Sequence, residues 1–318
     1  MTVAALIFDF DGLLMDTETT LLDSWRWEWR RHGLELDAAT FFADHGGDAN
    51  EPRYAELAAA VGRGYDRTSS HELRMAYRAE LNAALQPAPG IVAWLDRAAA
   101  LGLRLAVASS SPAPHVRALL AQAGLLDRFE VLATGEEVDA HKPDPAVYLL
   151  ALDRLGLPAT GAVAFEDTPH GVTAAQAAGL RCVAVPNPYA DHARFPHADL
   201  LLPTAKALPL DDALAALPDE LTLARRRFPV GDRVRGRVSA VPWGPGRTGL
   251  FVDLGAGPDG FVDVLHLPED DSRWPAVGHE AVFEILQHRP GQVRLLPLDP
   301  AVPPATRSGE EWAAIAGK

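Results

Sequence analysis

Phe8-Asp9-Phe10-Asp11-Gly12-Leu13-Leu14-Met15-Asp16-Thr17-Glu18 is the stretch whose reading decides the fold. Val3–Phe8 before it is a short apolar run that reads as a buried strand and ends abruptly in acid. Asp9 and Asp11 therefore sit at the carboxyl end of a strand, the edge where ligands bind in an open α/β sheet. Along an extended chain they fall on the same side. Gly12 lets the chain turn sharply after them.

The same pattern recurs downstream. Leu103–Ala108, Ala162–Phe165 and Arg181–Val185 are further apolar strands, alternating with helical stretches at Ile91–Leu101, Pro114–Ala123, Ala146–Leu155 and Gly171–Ala178. Continuous apolar strands alternating with helices predict a parallel sheet covered on both faces. Ser109 ends one strand, Glu166 and Asp167 end another, and Lys142 lies in the loop His141-Lys142-Pro143-Asp144-Pro145. Four segments thus deliver Asp/Asp, Ser, Lys and Glu/Asp to one edge. Residues 19–88 break the rhythm with three helical patterns, Leu21–Arg31, Pro52–Val61 and His71–Leu85, and read as an insertion after the first strand.

This ordered set resembles the haloacid dehalogenase superfamily, in its phosphatase and phosphomutase branch with a helical cap. The resemblance covers residues 3–205. It implies Asp9 as nucleophile, forming an aspartyl-phosphate. Two unit anions 4 Å apart repel by ~4 kcal/mol at an effective dielectric of 20, so the approach needs counter-charge. By resemblance that charge is Mg²⁺, a hard cation suited to oxygen ligands. Asp9, the Asp11 backbone carbonyl and Asp167 would hold it, with Glu166 as a ligand or behind one. Lys142 would add fixed positive charge, and Ser109 would donate to a phosphate oxygen beside the backbone N–H groups of Ser110 and Gly12. Asp11 would protonate the leaving alcohol and later take a proton from water. The dehalogenases lack Asp there, so phosphoryl transfer is expected here. The mutases of the branch carry a His ten residues past this Asp. Here Leu21 stands there, which favours hydrolysis.

In the insertion, His45-Gly46-Gly47-Asp48 reads as a cap loop facing the site, with Arg53 nearby, or as an ordinary turn before a helix. Trp25 and Trp29 share a helix face and are expected to pack rather than to stack on sugar. His115 and His170, at helix starts beside the strand-end loops, are placed to touch substrate, but satisfied surface residues are expected.

The last third has another habit. Residues 1–224 carry 17 Lys and Arg against 31 Asp and Glu, whereas residues 225–318 carry 12 of each. Val230–Val238, Gly249–Leu254, Gly260–Val264, Glu280–Ile285 and Gln292–Leu296 are short strands set off by Gly and Pro, the pattern of a small all-β barrel. Its cadence resembles the ribosomal S-one type RNA-binding OB-fold. That resemblance implies base stacking on Phe251, Phe261 and Trp243 beside Arg233, Arg235 and Arg237, which alternate on one strand face. Asp263 replaces the His usual after the third strand's motif. A neutral barrel on an acidic chain favours a protein partner or self-association over single-stranded RNA.

The expected architecture is a doubly wound, Rossmann-like parallel-sheet α/β core (1–18 and 89–220) with an inserted helical cap (19–88), an OB-like barrel (225–300) and a tail (301–318). The 318 residues are 48% hydrophobic with a net charge of −14. The one cysteine, Cys182, excludes an internal disulfide framework and any cysteine-cluster metal site. No apolar run is long enough to span a bilayer. A cytoplasmic, Mg²⁺-dependent phosphatase of a small phosphorylated metabolite is expected. A phosphosugar mutase and an RNA-associated binding protein are its rivals.

Overall fold

The computed structural model describes residues 3–37, 41–42, 50–242, 248–255, 257–268 and 270–298. The chain forms two compact units, Met1–Leu217 and Pro218–Lys318.

The first unit is built on a parallel sheet. Its strands are β1 (Ala5–Phe8), β2 (Arg104–Ser109), β3 (Val131–Thr134), β4 (Ala162–Glu166), β5 (Arg181–Ala184) and β6 (Leu200–Leu201), in the order β3-β2-β1-β4-β5-β6. β1 pairs with β2 on one side and β4 on the other, so the strand order reverses beside it. That switch point opens a crevice at the carboxyl ends of the strands. β1 and β4 are buried throughout, as a strand covered on both faces must be. Leu6, Phe8, Trp94, Leu120 and Phe165 fill one face, and Ile7, Tyr148, Ala151, Val172 and Cys182 the other. Cys182 is wholly buried. β3 and β6 were not among the predicted strands; they are the two edge strands and short, with little periodicity to read.

The inserted helices are Thr17–Arg31, Asn50–Val61 and Arg67–Ala83. Two begin before the apolar periodicity does, because side-chain caps start them. Asp16 accepts from the Thr19 amide, and Asp66 from those of Thr68 and Ser69. Leu22, Trp25, Trp29, Phe41, Tyr54 and Leu57 pack together. Trp25 and Trp29 thus pack inside the cap, and Trp27 stacks on Tyr77 at 4.6 Å. Arg74 is buried; its guanidinium lies 4.2 Å over the Trp25 ring and donates to the Tyr54 hydroxyl at 2.7 Å.

The second unit is a closed barrel of β7 (Arg233–Ala240), β8 (Gly249–Asp253), β9 (Asp259–Asp263), β10 (Glu280–Arg289) and β11 (Gln292–Pro297), ordered β10-β11-β9-β8-β7. β11 runs parallel to β9, and β10 closes on β7 antiparallel. Val238, Leu250, Val252, Val262, Phe283, Ile285, Val293 and Leu295 fill the inside. Gly260 is required by that filling: a Cβ there would lie 2.5 Å from Leu295 Cδ1. The helix Glu220–Arg227, capped by Asp219, precedes the barrel and holds the Arg225–Arg227 run in its last turn.

Candidate active site

The site lies at the carboxyl ends of β1, β2 and β4. Asp9 follows β1 and its carboxylate accepts from Lys142 Nζ. The same ammonium donates to the Ala108 carbonyl at 2.8 Å and to Glu166 Oε1 at 2.6 Å. Glu166 also accepts from the Tyr148 hydroxyl at 2.5 Å and from the Asp167 amide at 3.2 Å. Asp167 in turn accepts from Asn187 Nδ2 at 2.8 Å.

Carboxylate oxygens of Asp9, Glu166 and Asp167 lie within 4.8 Å of one another, all buried. Burial pushes the Asp9 carboxyl up to about 8; Lys142 pulls it down against that, and Glu166 and Asp11 push it up again. Burial, then Asp9 and Glu166, push Asp167 up as well. Lys142 is raised despite the cost of burying it, because Asp9 and Glu166 favour its charge. Among the described residues, three carboxylates crowd one ammonium, an excess of acidic groups that shows in the raised carboxyls of Asp9 and Asp167. An oxygen-only donor set with that excess fits a hard divalent cation such as Mg²⁺.

Asp11 is turned another way. It accepts from Thr17 Oγ1 at 2.8 Å and Ser111 Oγ at 2.6 Å, and His115 Nε2 lies 3.2 Å from it. Burial would raise this carboxyl, but His115, Ser111 and Thr17 overcome that and hold it below the usual range. The Asp11 side chain is therefore not part of the carboxylate cluster. His115 is partly exposed and satisfied by Asp11, and it packs edge-on against Phe10 at 5.8 Å, which brings it into the site.

Ser109 is buried at the end of β2, and its oxygen accepts from the Ser111 amide at 3.0 Å. Ser110 is exposed beside it. The Gly12 amide is not free for phosphate, since it donates to the Met15 carbonyl at 2.8 Å. Glycine is needed at position 12 for two other reasons: its φ is +79°, and a Cβ there would run into the Asp167 carboxylate. Arg53 lies in the cap, 3.8 Å over the Phe41 ring and donating to the Phe41 carbonyl at 3.2 Å. His45 and the loop around it lie outside the described residues, as does Trp243.

Sequence reading missed Glu18, Arg78, Ser111, Asn187 and Tyr189. Burial pushes Glu18 up to about 7, with Asp11 adding to the rise and Arg78 and Arg53 opposing it. The Arg78 Nε is buried with no hydrogen-bond partner among the described residues. Glu18 stood in the decisive stretch without a role. Arg78, Asn187 and Tyr189 carry no spacing signal at all.

On the barrel, Arg233, Arg235 and Arg237 share an exposed face of β7. Arg237 is paired with Glu280 at 2.5 Å. A groove of about 560 Å³ opens there, walled by Arg235, Arg237, Asp253, Leu254, Glu280 and Val282, with both signs of charge on its rim. Phe251 is half-buried, but Phe261 is only 5% exposed. Its ring meets Phe251 edge-on at 5.2 Å and lies under the Arg294 guanidinium at 4.4 Å. Phe261 therefore offers no open face for a base, contrary to expectation. No helix among the described residues is long and apolar enough to cross a membrane.

Comparison with known proteins bears on the first unit. The haloacid dehalogenase-like hydrolase family matches residues 6–185, ending upstream of the barrel. Protein CbbY of Rhodobacter capsulatus is 36% identical over 231 residues, covering 69% of this chain and 99% of its own. Fructose-1-phosphate phosphatase YqaB of Escherichia coli is 32% identical over 189 residues, covering 57% of this chain and 96% of its own. The crystal structure of CbbY from Rhodobacter sphaeroides in complex with xylulose-1,5-bisphosphate aligns with a TM-score of 0.55 at 30% identity, over 69% of this chain and 100% of that one.

Proposed function

The chain belongs to the haloacid dehalogenase-like hydrolases, and from that membership we propose a phosphatase that hydrolyses a small sugar phosphate through an aspartyl-phosphate on Asp9. The observation that carries this reading is the Asp9–Glu166–Asp167 cluster clamped by Lys142, with a second carboxylate, Asp11, two residues from the first. The names of the relatives support a sugar phosphate as the class of substrate.

In the first step an Asp9 oxygen attacks phosphorus, and the bond from phosphorus to the ester oxygen breaks. Lys142 steadies Asp9 and offers charge to the incoming phosphoryl oxygens. Ser109 has a hydroxyl proton to donate to the same group. Asp9, Glu166 and Asp167 would hold Mg²⁺, which when bound supplies the remaining positive charge for a phosphoryl group. Glu166 is the most heavily engaged of the three, held by Lys142, Tyr148 and a backbone amide, so its part is to fix the arrangement.

Asp11 serves both steps. In its protonated form it gives its proton to the leaving alcohol. It then takes one from the water that attacks phosphorus as the bond from phosphorus to the Asp9 oxygen breaks, which restores that proton for the next turnover. Its donors His115, Ser111 and Thr17 favour the carboxylate, the form needed for the second step. A mutase would need another acid–base group from the cap. Leu21, at the position where the branch's mutases place one, packs against the cap's apolar cluster. Glu18 and Arg78 give the cap side of the site one carboxylate and one guanidinium, a pair suited to sugar hydroxyls and an anionic group.

The test is phosphate release from a panel of sugar, nucleotide and small organic phosphates, with Mg²⁺ and with chelator. Release should require the cation, and Asp9→Asn should lower it at least about 1000-fold. Release that persists in Asp9→Asn, or in chelator, would overturn the proposal.

A further inference from the structure

Asn187 and Tyr189 lie beyond β5, outside every segment that the chemistry above uses. Asn187 is buried and its amide bridges two things. Its Nδ2 donates to Asp167 Oδ2 at 2.8 Å, and its Oδ1 accepts from the Tyr189 amide at 3.0 Å. Tyr189 then reaches the inserted helices twice. Its ring stacks on Phe42 with centroids 4.6 Å apart and planes 11° from parallel. Its hydroxyl lies 3.1 Å from Thr19 Oγ1. Thr19 donates its own proton to Asp16 Oδ2 at 2.8 Å, so Tyr189 is the donor to Thr19. Asp16 caps the helix Thr17–Arg31, the element by which the chain enters the cap.

We propose that Asn187 and Tyr189 are positioning residues that couple cation binding at Asp167 to docking of the cap. The proposal rests on the reading of Asp9, Glu166 and Asp167 as a divalent-cation site. Asn187 fixes which Asp167 oxygen stays with the protein and which faces the other two carboxylates. A free carboxylate would rotate between these states. Tyr189, held by the same amide, touches the cap through Phe42 and Thr19. The two contacts lie two residues apart and are tied through the Asn187 amide, so ordering one favours the other. Coupling of this kind is reciprocal: whatever factor the docked cap adds to cation affinity, the cation adds to cap docking.

The experiment titrates Mn²⁺ into the full chain by electron paramagnetic resonance and, separately, measures proteolytic nicking of residues 19–88 with and without Mn²⁺. Loss of a partner that orients a ligand weakens metal affinity by about 10–100-fold. Asn187→Leu should therefore bind Mn²⁺ at least about tenfold more weakly. Tyr189→Leu keeps the Asp167 contact but loses both cap contacts, and should weaken Mn²⁺ binding by about 5–10-fold, the low end of such couplings. In the wild type Mn²⁺ should slow nicking by a similar factor, and in Tyr189→Leu it should not. Asn187→Ser, smaller and still polar, serves if the leucine variant does not fold. Wild-type affinity in both Asn187 variants, or in Tyr189→Leu, overturns the proposal. Asp167→Asn separates it from its premise. If that variant keeps wild-type Mn²⁺ affinity, the cation site itself is misread. If it loses Mn²⁺ while the Asn187 and Tyr189 variants do not, only the coupling fails.

Discussion

At the scale of single residues, the site is a balance of buried charge, and pH exposes it. The folded state raises the carboxyls of Asp9 (to about 8), Glu18 (to about 7) and Asp167. A raised carboxyl stabilises the fold while protonated, and that contribution is lost as pH climbs from about 4, the unfolded value, through the folded one. A divalent cation competes with those protons, so its grip tightens over the same window. The increase in Tm given by Mg²⁺ should therefore be larger at pH 8 than at pH 5. Equal increases at the two pH values would sink the cation reading. Gly12 is the second lever. In Gly12→Ala the left-handed backbone costs ~1–2 kcal/mol, and the new methyl displaces Asp167. Mn²⁺ affinity should fall along with Tm, whereas a purely structural lesion would lower Tm alone. Asp9, Glu166 and Asp167 could be gathered from sequence because each stands at a strand end with a charge no core can take unpaired, whereas Lys142, in a loop, joins them through the order of the motifs. Asn187, Tyr189 and Arg78 could not, because their partners are 20, 170 and 67 positions away in sequence (Asp167, Thr19 and Asp11). The partner of the Gly12 amide, the Met15 carbonyl, is hidden for a related reason: which carbonyl a turn uses is a matter of its closed geometry.

At the scale of elements, the parallel sheet was readable because β1, β2, β4 and β5 are apolar on both faces and stand between helical patterns. The edge strands β3 and β6 were not: β6 has only two residues, and β3 is as long as β1 but ends in no charged group that marks it as part of the site. Helix starts drifted for a physical reason. A cap makes helix out of polar residues that hydrophobic periodicity ignores, as Asp16 and Asp66 do. The Asp66 cap also separates stability from chemistry. Asp66→Ala should cost ~1 kcal/mol in denaturant unfolding, the usual value of an N-cap. Because Asp66 is not among the groups placed in the site, kcat should stay within about twofold of wild type. A large loss of kcat with normal stability would mean that this helix start takes part in catalysis.

At the scale of the whole molecule, each compact unit has a core of its own. Two cores with separate interiors are expected to melt separately. Calorimetry should show two transitions, with Mg²⁺ raising only the one that belongs to residues 1–217. A single transition, or a shift in both, would show that the units fold as one. The barrel's interior is packed with side chains, so ligands are left only its outer surface, where β7 presents its arginines. The sequence had foretold that stripe from simple alternation, but not that Phe261 would lie covered, because burial within a small barrel depends on which neighbour folds over the ring. One buried atom gives the molecule a clock. Cys182 is the chain's sole thiol, sealed inside β5 of the first unit and pushed by burial well above its ordinary pKa. A thiol reagent can reach it only when that sheet opens, so the labelling rate counts openings of the catalytic half alone. Slower labelling with a bound cation or product would time how firmly each one locks that half shut, with no mutation.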